Sequence, residues 1–317
     1  METKNKGIGK TVLQRYKGNP IIAPADFPGA YTTFNCGQVM YQGKYLLLVA
    51  MQKMIDPLPA IHVAESEDGI HFTIREKALI TQSQHPVIGP LDQWIIDPRL
   101  TYVPEDDMYY IMRPASSEWG CSAVLGRTRD FESYEDLEII ALPHNRVPCL
   151  FPGKINGKYA RLDRPYAPGA AKLDGNIWIS FSPDLIHWGE YRPLLKPYTV
   201  WCLNKIGPTP PIKTEEGWLV VIHGVTSNSV HTRYSLGAVL LDLEDPTKVI
   251  GKTLSPILTP DAPYEYEGQV PNVVFACGAL ANPEKDELRV YYGAADTYIG
   301  LATGSLSEVI RMCKENR

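Results

Sequence analysis

Residues 101–113, TYVPEDDMYYIMR, followed by residues 122–134, SAVLGRTRDFESY, decide the fold. An acidic turn from Pro104 to Asp107 leads into an apolar and aromatic run. A second apolar run follows and ends in another acidic turn. Short β-branched and aromatic runs bounded by Pro, Asp and Gly read as strand, turn, strand. The same order recurs upstream in 40–51 (MYQGKYLLLVAM) and 60–72 (AIHVAESEDGIHF). It recurs downstream in 154–165 with 176–188, in 212–224 with 236–249, and in 282–294 with 299–309. Five copies, about 50 to 70 residues apart, span the chain. A unit of three or four short strands cannot bury both of its own faces, so the copies must pack on one another. Radial packing predicts an all-β, five-bladed β-propeller whose inner strands line a central pocket. A β-sandwich is the alternative, but it does not require a five-fold recurrence.

The reading extends to one domain over residues 1–317, with segment 1–17 peripheral and a short C-terminal helix in 305–316 (SLSEVIRMCKEN) capped by Ser305. Asp68-Gly69 and Asn156-Gly157 read as hairpin turns. The 317 residues are 44% hydrophobic and 21% charged, with a formal net charge of −5, which describes a folded soluble chain and disfavours nucleic acid as a partner. No apolar run approaches the ~18 residues of a membrane helix, and no apolar core of a secretory signal stands at the N-terminus, so a cytoplasmic location is expected. Cys36, Cys121, Cys149, Cys202, Cys277 and Cys313 are scattered without a CxxC pair. Free thiols are expected, with no metal site. Oligomerisation with further copies of the chain is left open.

In a propeller, functional groups should recur at matching points of different repeats. Asp97, in 94-WIIDPR-99, is a carboxylate in an apolar setting just before a strand, a suitable place for a general acid. Pro98 predicts that Asp97 is extended. The local alternative is a strand-start aspartate paired with Arg99. Arg146 and Arg164 flank the third repeat, and Lys205, His223 and Tyr234 come from the fourth. Converging on an axis, they would make an anion pocket, since Arg offers a planar fork and Lys a point charge to phosphate oxygens. Each could instead be an ordinary paired or interior residue. Asn35 and Asp296, beside strands of the first and fifth repeats, suit sugar hydroxyls or simple turn capping. Apart from Asp296, Asp97 lacks an acidic counterpart, so the attacking group reads as a held anion rather than a water activated by a second carboxylate. Nucleotide-loop, zincin and nucleophile-elbow motifs are absent.

At these residues the sequence resembles glycoside hydrolase family 130, the β-mannoside phosphorylases and related mannosidases. The resemblance is carried by FNCGQV, SEDGIHF, DPRLTYV, NRVPCLFPGKINGKYARLDRP, SPDLIHWG, KIGPTPPI, GWLVVIHGVT, YSLGAVLLDLEDP, VPNVVFACGAL and YYGAADT, in order from about residue 18 to 305. It implies a five-bladed propeller that cleaves β-mannosides with inorganic phosphate as co-substrate, inverting at C1 to give α-mannose 1-phosphate, with no metal or other cofactor. It implies Asp97 as the acid, relaying its proton through the mannose 3-hydroxyl. It implies Arg146, Arg164, Lys205, His223 and Tyr234 as phosphate contacts, and Asn35 and Asp296 as mannose contacts. Arg99, beside the acid, is grouped with the substrate-binding positions. Hydrolytic members lack the basic set and use glutamates, so phosphorolysis is favoured over the alternatives, a hydrolytic β-mannosidase or a non-catalytic sugar-binding propeller. Gln52 and Lys53 replace a basic stretch common in the family, and Val147-Pro148-Cys149 replace its usual sequence after Arg146. These changes leave linkage, β-1,4 or β-1,2, and acceptor sugar open.

Overall fold

A computed structural model describes residues 11–56, 58–166, 175–227 and 231–315. Five antiparallel sheets follow one another along the chain. Blade one is Ala30–Tyr41, Lys44–Lys53, Ala60–Ser66 and Thr73–Ile80. Blade two is Arg99–Val103, Met108–Ser117, Gly120–Thr128 and Glu135–Ala141. Blade three is Cys149–Ile155, Lys158–Asp163, Ile177–Ser182 and Gly189–Leu195. Blade four begins with Lys205–Pro208 and continues through Gly217–Ser227, Thr232–Leu241 and Val249–Lys252, with Ile212–Thr214 paired beside it. Blade five is Val274–Phe275, Glu287–Ala294 and Tyr298–Ser305, with Leu280–Asn282 alongside. Its outermost strand is Gln14–Arg15, from the other end of the chain.

That last pairing corrects the reading of segment 1–17 as peripheral. Gln14 and Arg15 pair with Thr303 and Ala302, and Leu13 is buried in the core. A propeller whose last blade borrows a strand from the first residues closes its ring by backbone hydrogen bonds. Residues 1–10 lie outside the described residues.

Alternation within the strands explains why the blades stack. Leu47 and Val49 pack against blade five, whereas Leu46 and Leu48 pack against blade two. In blade four, Leu219 and Val221 face blade five, while Val220 and Ile222 face blade three. Both faces of a middle strand are therefore dry, so runs such as LLLV and LVVI are apolar without a break. A two-layer sandwich gives each sheet one dry face, which these runs do not fit.

Ser305 caps the helix Leu306–Lys314, accepting from the Glu308 N–H at 3.0 Å. The helix buries Leu306, Val309, Ile310 and Cys313 against blades four and five. Asn156-Gly157 forms a two-residue hairpin with both φ positive, at 50° and 79°. Asp68-Gly69 does not. It sits in the longer connection between Ser66 and Thr73, where the Asp68 carboxylate accepts from the N–H groups of Ile70 and His71. All six cysteines are free. Among the described residues, no helix is long and apolar enough to cross a membrane.

Candidate active site

The inner strand of each blade and the strand after it run antiparallel. The start of the first therefore lies beside the end of the second, at one end of the propeller. Asp97, Arg146 and Lys205 stand at or just before inner strands of blades two, three and four. Arg164 and Asp296 stand just after the second strands of blades three and five. These residues, with Asn35 and Tyr234, line one cavity of about 370 Å³. Phe34, Trp94, Ile96, Val147, Val273 and Phe275 complete its apolar walls. A larger groove of about 950 Å³ lies beside the C-terminal helix, where Lys314 pairs with Glu216, and Arg311 with Glu308 and Glu315.

One side of the cavity is acidic and amide-lined. Asn35 Nδ2 donates to Asp97 Oδ1 at 2.7 Å, and the Asn35 side chain also hydrogen-bonds to Asp296. Burial, then the charge of Asp97, pushes the Asp296 carboxyl up to about 7. Like charges close together in a poorly solvated site cannot both ionise freely. Asp97 is not extended as Pro98 predicts: its φ is 53°. Asn35 and Asp296 share the left-handed region, at 41° and 46°. Asn and Asp tolerate this conformation better than other side chains, because their short polar groups bond locally.

The other side is cationic. Burial, then Arg146, pushes Arg164 down to about 10. Burial, then Arg164 and Arg146, pushes Lys205 down to about 8. Lys205 Nζ lies 5.0 Å from the centre of the Tyr234 ring. Asn145 ties the two arginine loops together: its Nδ2 donates to Asp163 at 2.8 Å, and its Oδ1 accepts from the Arg164 N–H at 3.1 Å. Arg164 Nε is buried without a hydrogen-bond partner. Three cations therefore converge where, among the described residues, no carboxylate is salt-bridged to them, and such a cluster favours an anion with several acceptor oxygens.

Two expected site residues lie behind the cavity wall. His223 is fully buried and accepts from Arg164 Nη1 through Nε2 at 3.1 Å. Burial and then the neighbouring arginines push it well below its ordinary range, so it is a neutral acceptor that orients Arg164. Its ring lies 4.6 Å from that of Phe275. Arg99 does not line the cavity, contrary to its grouping with substrate-binding positions. It lies beneath Asp97, donating to the Asp97 carbonyl at 2.5 Å and approaching the carboxylate at 3.7 Å. The inner strand that begins at Arg99 turns its side chain inward, under Asp97.

Sequence reading passed over Gln269 and Val270, which line the cavity, and Asn145. A register of the repeats would have found the first two. They precede the inner strand Val274–Phe275 much as Asp97 and Arg146 precede theirs. Among the described residues, no cluster of three or more His, Cys, Asp or Glu could hold a metal ion.

A family model described as beta-1,4-mannooligosaccharide phosphorylase matches residues 16–315. The chain belongs to glycoside hydrolase family 130. Among its family 130 relatives, the β-1,4-mannooligosaccharide phosphorylase of Ruminococcus albus is 33% identical over 312 residues, covering 97% of this chain and 92% of the relative. The β-1,2-mannobiose phosphorylase of Listeria innocua is 42% identical over 259 residues, covering 80% of this chain and 68% of the relative. The structure of β-1,2-mannobiose phosphorylase from Listeria innocua in complex with β-1,2-mannobiose superposes with a TM-score of 0.84 at 34% identity, covering 96% of this chain and 99% of that one. The five-bladed architecture is thus that of solved family 130 structures.

Proposed function

We propose that this protein is an inverting β-mannoside phosphorylase. The observation that carries the reading is the division of one cavity into two chemistries. Arg146, Arg164 and Lys205 crowd one side until burial and mutual repulsion depress Arg164 and Lys205, and Asp97, Asn35 and Asp296 line the other. The cationic side suits phosphate, and the amide and carboxyl side suits sugar hydroxyls. The relatives' activities support the same assignment.

In the proposed reaction, a phosphate oxygen attacks C1 of the β-mannosyl unit and the bond from C1 to the glycosidic oxygen breaks. The leaving oxygen takes a proton that originates on Asp97 and is relayed through the mannose 3-hydroxyl. The products are α-mannose 1-phosphate and the shortened sugar. Arg146, Arg164, Lys205 and Tyr234 clamp and neutralise the attacking phosphate, with His223 acting on Arg164 from behind. Clamping removes translational freedom, and the fixed charges stabilise the transition state without reorganising. Asn35 and Asp296 hold the mannosyl hydroxyls, and Arg99 steadies the backbone of the acid. The chain's own residues supply the binding, orientation and proton transfer that this step requires, with phosphate as co-substrate.

The Asp97 and Asp296 pair also favours a second reading, because a carboxyl near 7 beside another carboxylate is the arrangement a hydrolase uses to activate water. One experiment separates the two. β-Mannosyl disaccharides with β-1,2 and β-1,4 linkages, and with mannose or glucose acceptors, are incubated with and without phosphate. Phosphate-dependent release of mannose 1-phosphate is expected. Free mannose formed at the same rate without phosphate would replace phosphorolysis by hydrolysis.

A further inference from the structure

Arg15 and Glu265 stand 250 positions apart in the chain, yet they form a two-pronged ion pair: Arg15 Nε to Oε1 and Nη2 to Oε2, each at 2.7 Å. Arg15 Nη2 also donates to the Thr259 carbonyl at 2.5 Å. Glu265 is completely buried. Its carboxylate accepts in addition from the N–H groups of Asp261 and Ala262, at 2.7 and 2.9 Å, and from the Tyr292 hydroxyl at 2.7 Å. The side chain is thus the hub of the short helix Pro263–Tyr266, which is too short to hold itself together.

The chain leaving that helix is the cavity wall. Gln269, Val270 and Val273 line the cavity. The Val273 N–H returns to the Glu265 carbonyl at 3.2 Å. The Gln269 N–H donates to Thr297 Oγ1 at 2.9 Å, and the Val270 N–H to the Ala295 carbonyl at 3.1 Å, so the segment braces the residues on either side of Asp296. Gln269 Nε2 then reaches Gln52 Oε1 of blade one at 3.2 Å.

We infer that Arg15 is a positioning residue for the saccharide side of the cavity, acting through Glu265 on the wall formed by Gln269, Val270 and Val273. This rests on the phosphorylase reading for the identity of the substrates. A buried carboxylate stripped of the one ionic partner it has among the described residues is not tolerated in place, because its desolvation is no longer offset. Glu265 must then draw in water or a proton, and the three donors that remain, the N–H groups of Asp261 and Ala262 and the Tyr292 hydroxyl, lose a firmly held charged acceptor. The wall beside Asp296 loosens. Arg146, Arg164 and Lys205 ride on blades three and four, outside this network, so the cations of the phosphate side keep their geometry, while Tyr234 touches the wall through its N–H, which donates to the Asn272 carbonyl at 3.0 Å.

The test uses the full chain with Arg15→Met. Backbone hydrogen exchange over residues 261–273 is compared with exchange in blade three, and KM is measured separately for a β-mannosyl disaccharide and for phosphate. Faster exchange confined to 261–273 is expected. With it, saccharide KM should rise about 10- to 100-fold, the scale of a small misplacement in a positioned site, while phosphate KM moves less than about twofold. Unchanged exchange in a folded variant overturns the inference, and so does an equal rise in both KM values. Should Arg15→Met not fold, Arg15→Lys keeps the charge but loses the fork, and the same criteria apply at smaller amplitude. Exchange needs no substrate. A wild-type chain without phosphate-dependent turnover therefore sinks the functional reading, while the exchange result still decides the role of Arg15.

Discussion

Replacing Asp296 by asparagine should stabilise the fold, with a gain that depends on pH. In the folded protein the Asp296 carboxyl is pushed from 3.8 up to about 7, first by burial and then by Asp97, against the opposing pull of Arg146, the Asn35 hydrogen bond and Lys205. Between those two values the folded chain holds a proton that the unfolded chain has released. Stability therefore falls as pH rises from about 4 to about 7, and the loss is complete above that. A gap of about three units, at ~1.4 kcal/mol each, sets a ceiling of about 4 kcal/mol. Asparagine has the same shape, carries no charge and tolerates the φ of 46° at this position. The variant should match the wild type near pH 4 and exceed it by an amount that grows to a plateau at pH 8. Urea or thermal midpoints measured at both pH values in phosphate-free buffer provide the assay. A difference that does not vary with pH, or one larger at low pH, would refute the argument. The same substitution removes a proposed sugar contact, so activity should fall while stability rises.

Asp97→Asn should abolish turnover while leaving phosphate binding by calorimetry within about threefold of wild type; substantial turnover would remove Asp97 as the acid. Arg164→Ala should raise phosphate KM by at least about tenfold, consistent with losing a charge-assisted bond of ~1.5–3 kcal/mol, and change saccharide KM much less. Equal effects would contradict its assignment to the phosphate side. Lys205 is pushed down to about 8 by burial and then by Arg164 and Arg146, so its charge is lost as pH rises through that value in the free enzyme. Phosphate KM should accordingly climb between about pH 7.5 and 9. Lys205→Met should flatten that climb, and a wild-type KM that does not move across the range would show that Lys205 keeps no contact with phosphate.

The five-fold repeat was legible because it consists of middle strands. Residues such as Leu46 to Val49 and Leu219 to Ile222 are buried on both faces, and a two-sided apolar run bounded by turns stands out in any sequence. The inner strands were less legible, since Lys205–Pro208 and Val274–Phe275 are too short to show a period. The closing strand Gln14–Arg15 was not legible at all. It has two residues, and its partner lies almost the whole chain away. Residues presented by turns and strand ends could be picked out by type, and the structure brings Asn35, Asp97, Arg146, Arg164 and Asp296 to one cavity. Arg99 and His223 were misplaced in depth, because sequence position identifies the strand but not whether a side chain stops at the cavity or behind it.

That difficulty has a geometric origin. Alternate side chains of an inner strand point at the two neighbouring blades, so the axis meets the edge of the strand and not its side chains. Several of the polar residues reach the axial cavity where the alternation is broken or the strand has ended, whereas Lys205 and Tyr234 reach it from within strands. Asn35 sits at the register shift between Phe34 and Cys36, and Cys36 is already back in the interface with blade five. Asp97 and Arg146 precede their strands, and Arg164 and Asp296 follow theirs. The left-handed backbone at Asn35, Asp97 and Asp296 is how three of these residues leave the alternation. Strain of this kind, on the order of 1 kcal/mol or more per residue, persists only where surrounding structure enforces it. Here it is enforced by the Asn35 bridge to both carboxyls and by Arg99 holding the Asp97 carbonyl from below. The extended conformation that Pro98 favours would carry Asp97 along the strand direction and out of the Asn35 bond. Asp97, Asn35 and Asp296 are therefore one backbone device, in which the conformation of each residue is held by contact with the others.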